Sequence, residues 1–105
     1  MYWIYLFIAG LFEISWAIGL KYTEGFTKLF PSIFTVITMI LSFYFLSLSL
    51  KNLPIGTAYA IWTGIGTIGT VILGIILFKE PINALRFICL ALIIIGIIGL
   101  KALTN

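Results

Sequence analysis

Four apolar stretches, cut apart by charged residues and prolines, leave this chain few folds to adopt. The first runs from Tyr2 to Leu20 and ends at Lys21-Tyr22-Thr23-Glu24-Gly25; the second runs from Leu29 to Leu50 and ends at Lys51-Asn52. The third runs from Pro54 to Phe78 and ends at Lys79-Glu80, and the fourth starts near Pro81 and passes Arg86 to reach Leu100. A membrane-spanning helix needs about 20 residues, which the first three supply. The fourth is short between Arg86 and Lys101, but both cations snorkel outward and extend its reach. Backbone in lipid must satisfy its own hydrogen bonds, so it forms helices or a closed barrel. Runs this long without period-2 alternation predict helices, at about 2–20, 30–50, 54–78 and 83–101. Pro31, Pro54 and Pro81 each sit near a predicted helix start, where the first N–H groups have no intrahelical partner. The expectation is an all-α membrane protein, one four-helix transmembrane domain over residues 1–105. The first stretch carries Glu13, lacks a basic lead and shows no small-residue cleavage pattern, so it is read as a permanent helix rather than a secretory signal.

Composition excludes the soluble alternatives. Hydrophobic residues make up 63% of the chain and charged residues 9%, against roughly 45–50% and 25% in soluble domains. Most of the surface must therefore meet membrane lipid. The net charge of +3 does not indicate nucleic acid, because Lys21, Lys28, Lys51, Lys79, Arg86 and Lys101 are spread along the chain as interface anchors. One cysteine and no histidine exclude a disulfide framework and a Cys/His metal site within one chain. They also exclude Ser-His and Cys-His catalytic pairs. The expectation is a protein that is not an enzyme and carries no cofactor or metal. Cys89, in an apolar run, reads as a small packed residue.

Four spans place Lys51 and Lys101 on one side and Lys21, Lys28, Lys79 and Arg86 on the other. That bias is small enough to orient the chain loosely or to allow both orientations.

Glu13 requires an explanation. Glu24 and Glu80 fall in loops beside lysines, whereas Glu13 lies roughly 12 Å along a helix from Lys21, deep in a core roughly 30 Å thick. An acid there costs about 2.5–3.5 kcal/mol on insertion scales, and such residues usually face a cavity and act in function. The plainer alternative is a protonated, packed glutamate bonded to a neighbouring helix. Gly10, Glu13, Trp16 and Ala17 share one helical face by their i, i+3 and i+4 spacing. On the second helix Thr35, Thr38, Ser42 and Ser49 form a polar stripe, interrupted by Phe45, that faces other helices or a cavity. Ser42, near mid-helix, is the hydroxyl expected to reach a carboxylate. On the third helix Tyr59, Trp62 and Gly66 share a face; Trp62 lies too deep for the headgroup belt, and its indole N–H needs a partner. Gly66, Thr70 and Gly74 form a small-residue ladder that permits close helix approach, and Gly64-Ile65-Gly66 is a point where the helix can bend. Cys89, Gly96 and Gly99 make the fourth helix the candidate for self-association.

A deep carboxylate, tryptophans, a tyrosine and a hydroxyl suit an organic cation. The carboxylate accepts charge-assisted hydrogen bonds, and aromatic faces attract cations and stack on guanidinium planes. A carboxylate out of water favours its protonated form when no cation is bound, so protons and cations compete for the same oxygens. That competition suffices for exchange transport provided the empty, charged form does not easily switch sides. Transporters commonly build alternating access from inverted repeats; this chain has none, so a second copy in antiparallel orientation would supply one.

At these residues the chain resembles the small multidrug resistance family over essentially its whole length. Gly10-Leu11-Phe12-Glu13-Ile14-Ser15-Trp16-Ala17 up to Lys21 resembles the first-helix motif of the guanidinium-exporter subtype. Pro54-Ile55-Gly56-Thr57-Ala58-Tyr59-Ala60-Ile61-Trp62-Thr63-Gly64-Ile65-Gly66 resembles the family's third-helix signature. Trp16 and Lys101 favour that subtype over quaternary-ammonium exporters. The resemblance implies a dual-topology antiparallel homodimer in the bacterial inner membrane that exports guanidinium in exchange for protons. It assigns cation and proton binding to Glu13 and site lining to Trp16, Ser42, Tyr59 and Trp62; Gly10, on the face of Glu13, is expected to line the site as well. It makes Gly64 and Gly66 the bend of helix 3, and the helix of Cys89 and Gly96 the dimer contact. A broader quaternary-ammonium exporter and a small dual-topology ion channel are the rival readings; Glu13 counts against a channel, which needs no titratable centre.

Overall fold

A computed structural model describes residues 2 to 104 as four helices joined by short turns: α1 (Tyr2–Thr23), α2 (Leu29–Ser49), α3 (Ile55–Phe78) and α4 (Ala84–Thr104). All four are long and apolar enough to cross a membrane. With connections this short, consecutive helices run in opposite directions, so α1 and α3 point the same way.

The helix ends show what apolar runs do not encode. α1 continues past Lys21 to Thr23, where the buried Thr23 hydroxyl donates to Leu20 O (2.7 Å) and accepts from Phe26 N (3.2 Å). The turn then passes through positive φ at Glu24, Gly25 and Phe26. Lys21 stays helical and its ammonium lies 4.5 Å from the centroid of the Phe78 ring. α3 stops on Lys79, in the left-handed region, whose N–H bonds Gly74 O in the manner of a helix C-cap. α4 opens on Asn83, whose side-chain oxygen accepts from Arg86 N at 2.9 Å, the bond expected of an N-cap asparagine.

Packing centres on α1, which lies against both α2 and α3, while α4 leans on α3. Lipid removes the hydrophobic drive between helices, so contact rests on close van der Waals fit. Isoleucines seated on glycines provide it. A Cβ built on Gly10 would lie 2.6 Å from Ile65 Cγ2, one on Gly64 would lie 2.7 Å from Ile97 Cδ1, and one on Gly69 would overlap Ile14. The polar stripe of α2 turns inward: Thr35, Thr38, Ser42 and Ser49 are buried, while Ile37, Ile40 and Phe43 of the same helix are exposed. Thr38 and Ser49 donate to carbonyls of their own helix. Phe45, which breaks the stripe in sequence, stacks on Phe12 with centroids 5.8 Å apart, so it too faces α1.

The Cα trace measures 42 × 35 × 17 Å. Leu90 is the one buried residue of α4 among those described, and Leu85, Leu92, Ile95 and Ile98 are all more than 60% exposed. Cys89 is exposed as well, which corrects the expectation that it packs within the chain. Its helix is the outermost one, and a Cβ on Gly96 or Gly99 would meet nothing within 4 Å among the described residues.

Candidate cation-binding site

Two successive turns of α1 and α3 build the site. At the first level the three inner helices are tied by one hydrogen-bonded chain: Trp62 Nε1 donates to Ser42 Oγ (2.9 Å), and Ser42 Oγ donates to Ala9 O (2.8 Å). Every member is buried. Trp62 thus finds its partner. Ser42, however, does not reach a carboxylate as the sequence suggested: a hydroxyl has one proton to give, and that proton goes to the α1 backbone. Trp62 is flanked by Phe43 (centroids 5.5 Å) and Tyr59 (5.6 Å). Tyr59 itself is 57% exposed, so its ring stands on the surface of the chain.

One turn on, about 5.4 Å along each helix, Glu13 of α1 lies against Gly66 of α3. A Cβ at Gly66 would overlap the Glu13 carboxyl group; only glycine lets the acid rest on the α3 backbone. Glu13 Oε1 is buried and has no hydrogen-bond partner among the described residues. The carboxyl group borders a cleft of about 270 Å³ lined by Ala17, Gly66, Thr67, Thr70 and Val71. Beyond Thr70 a smaller cleft of about 120 Å³, sharing Ala17, Thr70 and Val71, leads to Lys21 and Glu80 at the end of the helices. The half-buried Trp16 packs on the core around Ile61 and Trp62, and its Nε1 is also buried without a partner.

The arrangement therefore groups Ser42, Tyr59 and Trp62 in one cluster and Glu13 with Gly66 in the next turn. Gly10 is buried against Ile65 and lets α1 and α3 approach; it does not line the cleft. α3 runs unbroken through Gly64 and Gly66, which seat α4 and Glu13. Thr67 and Val71 were not singled out from sequence. Thr67 follows Gly66 directly, and only the position of α1 on Gly66 and Gly69 shows that it borders the acid. Among the described residues no group of three His, Cys, Asp or Glu could hold a metal; the cleft's lining brings one carboxylate and two threonine hydroxyls. It accepts N–H donors and positive charge.

Known proteins are similar to this chain over nearly its whole length. Residues 1–93 match the family described as Small Multidrug Resistance protein. A guanidinium exporter of Proteus vulgaris is 62% identical over 101 residues, covering 96% of this chain and 97% of its own. Guanidinium exporters of Escherichia coli strain K12 and Salmonella typhimurium are each 56% identical over 105 residues, the full length of both chains. These relatives are transporters, not enzymes. With a family match over most of its length and relatives this similar, the four-helix chain belongs to the small multidrug resistance family.

Proposed function

We propose that the protein exports guanidinium from the bacterial cytoplasm across the inner membrane in exchange for protons, with Glu13 carrying one or the other. The observation that carries this reading is the Glu13 carboxyl group: it is the only acid at membrane depth, and it borders a cleft with one oxygen unpartnered. A planar guanidinium pairs with a carboxylate through two parallel N–H bonds. The relatives named above, guanidinium exporters at 56–62% identity, support that substrate.

The working unit is an antiparallel homodimer. The thin slab and the exposed apolar face of α4 support a second copy, and the modest charge bias lets both orientations insert. Two copies bring two Glu13 residues and two Trp62–Ser42–Ala9 clamps around one space. Trp16, Tyr59 and Trp62 offer ring faces to the cation there. Alternating access follows if α3 bends at Gly64-Ile65-Gly66, which moves Glu13's seat and the α4 contact together. The helix of Cys89 and Gly96 holds the two copies together.

The test is uptake into proteoliposomes holding the purified protein. With an acidic interior, guanidinium should accumulate against its gradient and dissipate when the pH gradient is collapsed. Equilibration that ignores the pH gradient would indicate an uncoupled channel. Preferential uptake of tetraethylammonium over guanidinium would indicate a quaternary-ammonium exporter.

A further inference from the structure

We infer that Thr67 and Thr70 of α3 are substrate-specifying residues, whose hydroxyl oxygens accept the N–H groups of the cation that the Glu13 carboxylate leaves unpaired. This rests on the reading of guanidinium as substrate and adds the residues that recognise its remaining donors.

A guanidinium ion bonded edge-on to a carboxylate still carries N–H groups on its outer edge. In a dry site each of these needs an acceptor, because an unpaired buried donor forfeits the hydrogen bonds it had in water. Glu13 offers none beyond its own two oxygens. The Trp62–Ser42 pair is committed at the level below: Ser42 Oγ already receives Trp62 Nε1 and donates to Ala9 O. Trp16 brings only an N–H donor, which repels another donor. The cleft beside Glu13 has two hydroxyl side chains in its lining, Thr67 and Thr70.

Thr67 is set up to accept. Its Oγ1 donates to Thr63 O at 2.8 Å, one turn back along the same helix. That bond fixes the hydroxyl proton on the helix and leaves the oxygen's lone pairs for a donor in the cleft. Thr70 lies one turn beyond Gly66, on the face that carries Glu13, and lines both the Glu13 cleft and the adjoining cleft toward Glu80 and Lys21. A cation moving between the membrane edge and Glu13 passes its hydroxyl. A tetraalkylammonium has no N–H and gains nothing from either oxygen, so the two threonines favour N–H-rich cations.

The experiment measures guanidinium binding to the purified full-length protein for wild type, Thr67→Val, Thr70→Val and Thr67→Ser, with thermal unfolding as a check on folding. Valine keeps the threonine shape and removes the hydroxyl; serine restores it. Each valine variant should bind guanidinium about tenfold more weakly, the worth of a hydrogen bond to a charged group, at unchanged unfolding temperature, and Thr67→Ser should bind like wild type. Wild-type affinity in both valine variants would overturn the inference, as would equal weakening of Thr67→Val and Thr67→Ser, which would mark a packing role. Wild type that binds no guanidinium is a separate result, and it would overturn the reading of the substrate together with this one.

Discussion

Replacing Glu13 with glutamine should abolish proton-coupled guanidinium exchange, lowering the rate at least about 100-fold while the protein still folds. Glutamine has nearly the same shape, so it still fits against the backbone of Gly66. It loses the charge that makes hydrogen bonds to a cation roughly twice as strong as neutral ones, and it no longer takes up a proton. No other acid lies at depth to replace it. Glu24→Gln and Glu80→Gln should keep transport. Glu24 sits in the α1–α2 turn, 3.5 Å from Lys28, with both side chains largely in water, a type of pair worth about 0–1 kcal/mol. Glu80 pairs with Arg86 at 3.5 Å and is partly exposed at the end of α3. Coupled exchange by Glu13→Gln in proteoliposomes, at anything near the wild-type rate, would refute the role given to Glu13.

Two glycines on facing helices, Gly66 of α3 and Gly10 of α1, should respond differently. In Gly66→Ala the new methyl overlaps the Glu13 carboxyl group. That group is the far end of a flexible side chain, so it swings aside and the helices stay in place. Guanidinium affinity should fall about tenfold or more, because a charge-assisted bond tolerates little displacement, with little change in unfolding temperature. In Gly10→Ala the new methyl meets Ile65 at Cγ2 and, 2.9 Å away, at Cβ. A Cβ is fixed to its backbone, so α1 and α3 must separate. Overpacking of this kind costs about 1–3 kcal/mol, seen as a lower unfolding temperature in detergent. If Gly66→Ala binds guanidinium as wild type does, the seat assigned to Glu13 is wrong.

The helices were legible because lipid imposes a simple rule of length and polarity, and Glu13 was legible because an acid at that depth stands out against it. The helix ends were less so. The Thr23 and Asn83 caps depend on local side-chain hydrogen bonds that leave no trace in an apolar pattern. Trp62's need for a partner could be read from its depth. That Ser42 would bond the carbonyl of Ala9 could not, since every residue carries the same backbone acceptor. Gly64 and Gly66 illustrate a deeper ambiguity: a glycine that permits a bend and one that seats a neighbouring side chain look alike in sequence. In the structure they receive Ile97 and Glu13. Cys89 looked packed because small residues in apolar runs usually are; its exposure follows from the outer position of α4. Thr67 escaped notice because its value depends on where α1 crosses α3, a contact between residues more than 50 positions apart in the chain.

In the proposed function one carboxylate holds either a proton or the transported cation, and guanidinium affinity as a function of pH in wild type and Glu13→Gln measures this most directly. A proton bound to Glu13 blocks the cation, so affinity should rise with pH, by about tenfold per unit on the acid side of the titration, and level off once Glu13 is ionised. Glu13→Gln should bind weakly at every pH and show no such slope. Wild-type affinity that stays flat across the titration of Glu13, or a slope that survives in Glu13→Gln, would contradict a shared site.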